Sequence, residues 1–505
     1  MIYNINLGIG WASSGVEYAQ AYRATVLRKI KQPAKFVFTD MIQSENIEHL
    51  TKNIGIEDSE VIWLYQYFTN IKIAPTTYTI QDFLAQFEIK PSRVEEDGLS
   101  VRYFFDALDF FVTVYVTQHN KQLVNRAEFV SKGNLIRKDY YSYTRVFSEY
   151  YAPKDNRAYL YQRRFFNEDG TTAFDEIIEE NHKSIFKFPD YICFSKEELI
   201  SYFIQSLHLT SDDLVIIDRA TGIAQSVLRH KGQAKVATVV HAEHYSPTMI
   251  DESYILWNNY YEYQFSNAGS IDLFITSTDT QTKTLTEQFE KYTSFSPKVV
   301  TIPVGSLKQL MYPKGERRPY ALMTASRLAG EKHIDWLIKA VIHAKKYLPD
   351  LSFDIYGKGG EESKLKSMIE ERGAQAYIRL MGHHHLTDVY ADYQAYIAGS
   401  TSEGFGLTLM EAVGSGLPII GFDVPYGNPT FVDNGVNGYL IKRHEEDNED
   451  YIIEQFSKKI IELFTTGQLT AFQEASYRKA SQFLDKEIEY KWQCVLEEVL
   501  HDKSV

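Results

Sequence analysis

The distribution of apolar residues divides the chain into two kinds of stretch. In the first 45 residues, and again from about residue 190 onward, short apolar runs alternate with segments of helical periodicity. The chain opens with IYNINLGIG, typical of a strand that ends in glycines, and SSGVEYAQAYRATVLRKI then has the spacing of an amphipathic helix. KVATVVH, LSFDIYG and AYIAGS are later buried-strand patterns. This alternation predicts doubly wound α/β domains with parallel sheets.

The pattern changes between about residues 75 and 190. The run VRYFFDALDFFVTVYVTQ contains valines that alternate with polar or aromatic residues from Val112 to Thr117. Further β-like runs follow, separated by the turn-forming sequences SKGN, APKDN and NEDG. Short segments of period two with such turns are typical of an antiparallel meander. We therefore predict an antiparallel β-sheet element inserted into the α/β pattern.

The length of the chain and its net charge limit the number of domains and the kinds of partner that are expected. A chain of 505 residues is too long for one compact core, so two or three domains are expected. The 53 Lys and Arg residues are outnumbered by 67 Asp and Glu residues, which gives a formal net charge of −14. Such a chain lacks the broad basic surface of a nucleic-acid binder, and no nucleic-acid partner is expected. A local cationic site must serve any anionic ligand.

Cysteine usage and hydropathy bear on location. The two cysteines, Cys193 and Cys494, lack metal-ligand spacing, which favours a reducing compartment. The N-terminal sequence has neither the cationic start nor the long apolar core of a signal peptide, and no apolar run has the length of a membrane span. We expect a cytoplasmic protein, with peripheral association at the inner face of the membrane left open.

Two glutamates bracket a glycine-containing turn in TSEGFGLTLMEAVGSGLPII. Glu403 precedes Gly404, Phe405, Gly406 and Leu407, and Glu411 lies in the helix that follows. Free amides at a helix start attract phosphate, whereas carboxylates accept hydrogen bonds from hydroxyls. The combination predicts a nucleotide-sugar site, with one carboxylate for the sugar and one for the ribose. An ordinary helix start with a solvated glutamate fits the same pattern.

Other strand ends carry further candidates. Arg327 and Lys332 follow a strand and are suited to a diphosphate, although surface cations are the commoner alternative. His241 ends a buried strand and could donate to a sugar hydroxyl, or could be structural. The first helix begins with four residues expected to face the same cleft: Gly15, Val16, Glu17 and Tyr18. Their turn does not fit the dinucleotide fingerprint.

Metal chemistry is not expected from this sequence. The successive residues His383, His384 and His385 cannot easily converge on one ion, and no second ligand cluster accompanies them. Their position after a strand instead favours a loop that pairs with a base edge. The chain also lacks an Asp-x-Asp motif, which argues against a carboxylate-held magnesium ion on a sugar diphosphate. No cofactor is predicted, and the nucleotide sugar is a substrate.

Together these motifs resemble the retaining glycosyltransferases of family 4, which have the GT-B architecture. The matching motifs, in order, are SRL…EK (Ser326 to Lys332), DIYGKG (Asp354 to Gly359), MGHHH, the pair of glutamates spaced E-x7-E, and GLPII…NGVNGYLI. They cover the second half of the chain well and the first half more thinly. The resemblance implies an α/β fold of two Rossmann-like domains facing a cleft, with the β-sheet element inserted.

The predicted domain boundaries follow from the pattern and this resemblance. They are 1–45 and 191–305 for a first Rossmann-like, acceptor-side domain, 46–190 for the inserted β-rich domain, 306–482 for a second Rossmann-like, nucleotide-sugar domain, and 483–505 for a C-terminal helix returning to the first domain.

Within family 4, three stretches resemble the catalytic subunits that O-glycosylate serine-rich repeat adhesins. These are NINLGIGWASSGVEYAQAYR, the tyrosine-rich β insertion, and VVHAEHYS. The resemblance implies a hexosyltransferase with UDP-N-acetylglucosamine (UDP-GlcNAc) as donor, Ser/Thr hydroxyls of an unfolded adhesin as acceptor, and a homologous partner subunit of the GtfB type. It also implies that the insertion helps to hold partner or acceptor. The turn SSGVE departs from many relatives, which have paired glycines there.

The resemblance assigns a role to each candidate. Glu403 to Gly406 would contact the sugar and the β-phosphate, and Glu411 the ribose. Arg327 and Lys332 would hold the diphosphate and His241 the sugar. The remaining contacts would be His383 and His384 to the uracil and Gly15 to Tyr18 to the phosphates.

Two other functions fit parts of this pattern. The first is a family-4 enzyme that acts on a wall polymer or a glycolipid, although no amphipathic or basic membrane-facing patch stands out. The second is a non-catalytic, chaperone-like subunit of the same fold. Such a subunit should have lost its phosphate cations or glutamate pair, whereas this chain keeps Arg327, Lys332, Glu403 and Glu411. The catalytic interpretation is therefore preferred.

Overall fold

A computed structural model describes residues 1–10, 15–179, 183–444 and 448–501 of the protein. The chain divides into two compact units. The first contains Met1–Val239, Asn259–Asp272 and the chain from Val499, and the second contains Val240–Asn258 and Leu273–Glu498. No helix within the described ranges is long and apolar enough to cross a membrane.

The first unit begins with short strands and helices. In chain order they are β1 (Ile2–Asn6), α1 (Gly15–Lys29), β2 (Ala34–Phe38), α2 (Ile47–Asn53), β3 (Val61–Trp63), α3 (Leu64–Tyr67) and α4 (Ile80–Leu84). Ten strands follow: β4 (Arg93–Asp97), β5 (Ser100–Phe105), β6 (Phe110–Val116), β7 (Val124–Ser131), β8 (Asn134–Tyr141), β9 (Arg145–Lys154), β10 (Arg157–Phe166), β11 (Thr172–Ile178), β12 (Ser184–Lys187) and β13 (Ile192–Cys193). The unit continues with α5 (Lys196–Ser206), β14 (Leu214–Ile217), α6 (Ala224–His230), β15 (Lys235–Val240) and, later in the chain, α7 (Glu262–Ser266).

A parallel sheet forms one part of the first unit, in the order β15-β14-β1-β2-β3. All four residues of β14 are buried, as expected for a strand of a sheet covered on both faces. The chain runs from β1 outward to β3 and later returns beside β1 as β14. The boundary between β1 and β14 is thus the point where strand order reverses, and ligands of such sheets bind at this kind of crevice.

The ten strands from β4 to β13 form the other part of the first unit. Each pairs with its neighbour in sequence and the determined registers are antiparallel, which confirms the predicted meander. The alternation from Val112 to Val116 puts valines against a core that includes Phe83 and Phe129. The predicted insertion begins at residue 46, whereas the antiparallel strands begin at Arg93. The segment between holds short helices and β3, which extends the parallel sheet.

The second unit contains the remaining elements. The first of them are β16 (Tyr245–Ile250), β17 (Ile255–Trp257), β18 (Leu273–Thr276), α8 (Asp279–Tyr292), β19 (Val299–Thr301), β20 (Ala321–Ala325), α9 (Ile334–Lys345), β21 (Ser352–Tyr356), α10 (Glu362–Glu371) and β22 (Ile378–Gly382). The others are β23 (Ala395–Ala398), α11 (Leu407–Gly414), β24 (Ile419–Phe422), α12 (Gly427–Phe431), β25 (Gly438–Ile441), α13 (Glu449–Thr465), α14 (Leu469–Ala480) and α15 (Asp485–His501), whose last residues belong to the first unit.

A six-stranded parallel sheet organises most of the second unit, in the order β22-β21-β20-β23-β24-β25. One core cluster joins its strands to α9, α10 and α13, and another joins them to α11 and the chain near Phe483. The second predicted α/β domain is therefore confirmed as doubly wound. The antiparallel hairpin of β16 and β17 was not predicted, and Pro247 within β16 helps to explain why its sequence does not read as a strand.

Candidate functional site

Strand order in the second unit fixes where its site residues gather. From β20 the chain moves outward to β21 and β22, and it then returns to the other side of β20 as β23. The loops after β20 and β23 therefore leave the sheet side by side at its carboxyl edge. Arg327 and Lys332 lie in the first loop, and Glu403 begins the turn in the second.

The turn from Glu403 to Gly406 ends in an uncapped helix. Gly406 precedes α11 with φ of 88°, a left-handed conformation that glycine adopts without strain, and no side chain of the described residues caps the helix. A Cβ atom at Gly406 would also lie 2.6 Å from the Leu409 side chain. Throughout the described chain, the amides of residues 404–408 donate no hydrogen bond. The positive end of α11 can therefore accept an anion.

Lys332 and Glu403 form an ion pair beside this turn. The Lys332 Nζ donates to Glu403 Oε2 at 2.8 Å, and the two side chains are 16% and 24% exposed. Partial burial makes the attraction stronger than it would be in open water. The pair therefore holds an ammonium group close to the open amides of α11. Both residues are predicted at the site from their sequence positions, but their direct contact is not.

His241 reaches the same turn through its backbone. A Cβ atom on Gly404 would lie 2.7 Å from the His241 carbonyl oxygen, so only glycine fits here without displacement of a chain. The strand-end residue predicted to bind sugar is thus adjacent to the turn predicted to bind sugar and phosphate. Both residues belong to the second unit.

Arg327 lies in a different setting from Lys332. Its side chain is 79% exposed, and its NH2 group donates to Glu331 at 3.2 Å. An exposed pair of this kind contributes little to stability. The guanidinium is thus available at the surface of the β20 loop, and its predicted contact with a diphosphate stays a prediction.

Glu411 is held by Tyr390. The Tyr390 hydroxyl donates to Glu411 Oε2 at 2.8 Å. Burial raises the pKa of the Glu411 carboxyl above its ordinary value, and the hydrogen bond from Tyr390 opposes that rise. The side chain is therefore not the solvated glutamate of the alternative interpretation. Its contact with a ribose stays a prediction.

His383 and His384 follow β22 and are exposed. The His384 Nε2 donates to the Met381 carbonyl oxygen at 2.8 Å, and the imidazole meets the edge of the Tyr356 ring with centroids 5.8 Å apart. This contact fixes the His384 ring at the edge of the sheet. Across the residues that the structure describes, no group of three or more His, Cys, Asp or Glu side chains could hold a metal ion.

The predicted residues of the first unit lie at the start of α1. Tyr18 is 45% exposed, whereas Glu17 is buried and accepts a hydrogen bond from Asn6 Nδ2 at 3.2 Å. Arg219 lies 3.5 Å from the same Glu17 oxygen. Gly15 and Val16 precede Glu17 on the helix. Residues 11–14, the rest of the predicted turn, lie outside the described residues.

A buried polar network beneath α1 was not found from sequence. Arg23 donates to both carboxylate oxygens of Asp218 at 2.8 and 2.9 Å, and also to Asn4 Oδ1 at 2.9 Å. Gln20 Nε2 donates to Asp218 at 2.9 Å and its Oε1 accepts from Asn6 at 3.1 Å. These contacts join β1, α1 and the end of β14. The only sequence signal was polar residues within an otherwise apolar strand and helix face.

Two glycines of DIYGKG bring the loops of the second unit together. A Cβ atom at Gly357 would lie 1.8 Å from the Ser326 carbonyl oxygen, and one at Gly359 would lie 2.3 Å from that of Leu328. The loop after β21 is therefore packed backbone to backbone against the loop that carries Arg327. Tyr396, which was not predicted from sequence, adds a further contact to this region. Its hydroxyl donates to the Ala325 carbonyl oxygen at 2.9 Å.

The chain is similar to known proteins over its whole length. The family model "GtfA extended beta-sheet domain" matches residues 93–190, and "Glycosyl transferases group 1" matches residues 312–471. A relative from Streptococcus gordonii, the GtfA subunit of UDP-N-acetylglucosamine–peptide N-acetylglucosaminyltransferase, is 55% identical over 100% of both chains.

Two crystal structures have the same fold. The pneumococcal O-GlcNAc transferase GtfA in complex with UDP and GlcNAc is 56% identical, with a TM-score of 0.94 over 99% of both chains. The GtfA/B complex contains a chain that is 55% identical, with a TM-score of 0.96 over 99% of this chain and 100% of that one. The α/β architecture is thus the GT-B fold, as predicted. With such identity over its whole length, the chain belongs to the GtfA family of glycosyltransferase subunits.

Proposed function

We propose that this chain is the catalytic subunit of a retaining glycosyltransferase. It transfers N-acetylglucosamine from UDP-GlcNAc to Ser or Thr hydroxyls of a serine-rich repeat adhesin, and it works with a homologous GtfB-type subunit. The proposal combines the full-length similarity to GtfA subunits with the arrangement of charges at the carboxyl edge of the second sheet.

The observation that carries the proposal is the Lys332–Glu403 pair beside the uncapped start of α11. A helix end and an ammonium group suit a diphosphate, while a carboxylate suits sugar hydroxyls. A nucleotide sugar presents both kinds of group next to each other. The crystallised relative with 56% identity contains UDP and GlcNAc, the two parts of such a donor.

The proposed roles follow the position of each side chain. Lys332, Arg327 and the α11 amides meet the diphosphate, and they stabilise the charge that grows on UDP as it leaves. Glu403 and the turn to Leu407 bind the sugar together with His241. Three further contacts are proposed at the nucleotide: Glu411 to the ribose, His383 and His384 to the uracil, and residues 15–18 to the phosphates.

The chemistry we propose keeps the configuration at the anomeric carbon. The bond from that carbon to the β-phosphate oxygen breaks, and a bond to the acceptor oxygen forms on the same face of the sugar. The acceptor proton passes to the departing phosphate, so no protein nucleophile is required. Exclusion of water by the surrounding chain would limit transfer to water.

We also propose the domain organisation predicted from the sequence, with the β-rich part of the insertion formed from Arg93 onward, because β3 of the same segment extends the parallel sheet. The match to the extended β-sheet domain falls within 46–190, and the match to glycosyl transferases group 1 falls within 306–482. Both support separate roles for the β-rich domain, in partner or acceptor binding, and for the second Rossmann-like domain, in donor binding.

Metal independence and location are further parts of the proposal. The cations and amides that meet the diphosphate are provided by the chain itself, so we expect transfer to persist in EDTA. We place the protein in the cytoplasm because both cysteines, Cys193 and Cys494, are free thiols, as is usual in a reducing compartment.

A donor panel tests the proposed function. The purified chain and its GtfB-type partner are incubated with a serine-rich peptide and UDP-GlcNAc, UDP-glucose or UDP-GalNAc, with EDTA in parallel. Intact mass should show addition of N-acetylhexosamine from UDP-GlcNAc and an unchanged result with EDTA.

Two outcomes of the same donor panel would contradict the proposed function. Release of UDP without any gain in peptide mass, combined with transfer to a wall polymer, would assign another acceptor. Failure to release UDP from any donor would make the chain a non-catalytic subunit.

A further inference from the structure

Backbone hydrogen bonds from outside hold the sugar-binding turn. The amides of Tyr426 and Gly427 both donate to the Glu403 carbonyl oxygen, at 2.8 and 2.7 Å. The Glu403 amide in turn faces the Pro425 carbonyl oxygen at 3.5 Å, which completes a parallel bridge. A Cβ atom at Gly427 would lie 2.3 Å from the Phe405 carbonyl oxygen. The segment 425–427 thus fixes the backbone from Glu403 to Phe405.

The Tyr426 side chain links this segment to a third one. Its ring is 2% exposed and stacks on the His244 ring, with centroids 6.0 Å apart and an interplanar angle of 22°. Its hydroxyl lies 2.6 Å from Glu243 Oε1 and 3.3 Å from His244 Nδ1. Glu243 and His244 immediately follow His241 and Ala242. One side chain therefore connects the backbone of the Glu403 turn to the segment that carries His241.

The protonation of His244 determines which groups donate and which accept around the Tyr426 hydroxyl. His244 is fully buried, and its Nε2 lies 2.8 Å from Gln288 Oε1, which can only accept, so this nitrogen donates. Burial lowers the pKa of His244 from 6.5 to about 4, which leaves the ring neutral and Nδ1 without a proton. Both atoms facing the Tyr426 hydroxyl are then acceptors. Glu243 Oε1 is the nearer of the two, so the hydroxyl proton is donated to it, and phenylalanine cannot replace that donor.

We propose that Tyr426 is a positioning residue that sets the separation between His241 and the Glu403–Gly406 turn. In the described contacts, the Tyr426 hydroxyl bonds to neither the His241 imidazole nor the Glu403 carboxylate. Tyr426 acts through the backbone of Glu403 on one side and through the Glu243 side chain on the other. The inference rests on the proposed function, because it assigns both ends of this link to one bound sugar.

The effect of losing the hydroxyl should appear in turnover. A displacement of about 1 Å between groups that hold a reacting centre costs on the order of a hundredfold in rate. We expect Tyr426→Phe to lower kcat by about 10- to 100-fold while KM for UDP-GlcNAc changes less than about threefold, since the diphosphate contacts are untouched. Glu243→Ala should have a similar effect, and the double variant should be no slower than the slower single one.

The experiment measures kcat, KM and thermal unfolding of the full chain with its GtfB-type partner and a serine-rich peptide. Tyr477→Phe is the matched control, because it too removes a hydroxyl that donates one hydrogen bond within the second unit, here to the Met311 carbonyl oxygen at 2.9 Å and away from the Glu403 turn. The positioning role of Tyr426 is supported if Tyr477→Phe has a lowered melting temperature but a normal kcat, while Tyr426→Phe has a lowered kcat.

Other outcomes overturn the inference. A Tyr426→Phe enzyme with wild-type kcat, or a double variant whose loss is the product of the two single losses, excludes the link. Should Tyr426→Phe fail to fold, Glu243→Ala tests the link from its other end, and an unchanged kcat rejects it. Absence of transfer by the wild type overturns the proposed function as well, so the two failures are distinguishable.

Discussion

Glu17 and Glu403 occupy comparable places in the two units but have different surroundings. Each lies near the start of a helix at the point where strand order reverses in a parallel sheet. Glu17 is 5% exposed and belongs to a hydrogen-bonded network with Asn6. Glu403 is partly exposed and pairs with one lysine beside open amides. A carboxylate at a switch point can thus serve the fold, as Glu17 does through Asn6, or stand beside unsatisfied donors that are open to a ligand, as Glu403 does.

The largest expected effect is at the cation that distinguishes the Glu403 site. Lys332→Ala removes the ammonium next to the α11 amides and should lower kcat by about a thousandfold, within the range for one transition-state donor. Steady-state transfer to peptide measures it. Lys364→Ala, which breaks an exposed pair with Glu361, should leave kcat unchanged. Normal turnover by the Lys332 variant would refute the assigned role.

The same substitution at both glutamates tests the comparison directly. Glu403→Gln keeps the shape of the side chain but loses the charge that pairs with Lys332 and accepts sugar hydroxyls, so kcat should fall by about a hundredfold. The loss at Glu17→Gln should be less than about tenfold. Steady-state kinetics of the two variants, measured side by side, give the ratio of their losses in kcat. Equal losses would show that both switch points act on the substrate in the same way.

Low pH should destabilise the folded protein through His244, which lies in the second unit, rather than through the network around Glu17. The folded state keeps His244 neutral down to about pH 4, whereas the unfolded state binds a proton near pH 6.5, so stability is retained above 6.5 and is lost as pH falls toward 4. The loss at pH 5 should be about 2 kcal/mol. Denaturant unfolding of wild type and His244→Asn at pH 5 and 7 measures it.

The pH dependence of the variant provides the check. His244→Asn should show a smaller decrease between pH 7 and 5 than the wild type, whatever its stability at pH 7. Parallel decreases would mean that other groups carry the acid effect. Among the residues that the structure describes, the hydrogen bonds of the network around Glu17 join Asn6, Gln20, Arg23 and Asp218 and involve no histidine, so the loss caused by His244 belongs to the second unit.

The smallest expected effect is the stability change at Glu17. Glu17→Gln retains one acceptor for Asn6 but weakens a charge-assisted hydrogen bond, so the free energy of unfolding should decrease by about 1 kcal/mol. Chemical denaturation measures this. A matched substitution at an exposed glutamate, Glu454→Gln, breaks only a surface pair with Lys458 and should leave the free energy of unfolding close to that of the wild type. An equal change in both variants would contradict the buried role.

Much of the fold was accessible from sequence because its periodicities are strong. Fully buried strands such as β14 and β23 read as continuous apolar runs, and the ten-stranded meander shows alternation and turn residues. The elements that were missed are short or irregular. β3 has 3 residues, and the pairing of the β16–β17 hairpin shifts register between Tyr245 and Ile250.

The site was accessible only as a set of strand ends. Motifs predicted Lys332, Glu403 and His241, and the structure brings these three segments to one turn. Side chains that arrive from other elements gave no local signal. Tyr390 and Tyr426 look like ordinary core aromatics, and their role depends on the tertiary position of one hydroxyl each.

Gly357, Gly359, Gly404 and Gly427 have a consequence for the evolution and redesign of this enzyme. At each of them a single added carbon would meet a main-chain oxygen at 2.7 Å or less. The positions that tolerate least change near the proposed donor site are thus ones that offer no functional group. Diversification of donor preference by mutation must leave these gaps empty and proceed through the side chains around them.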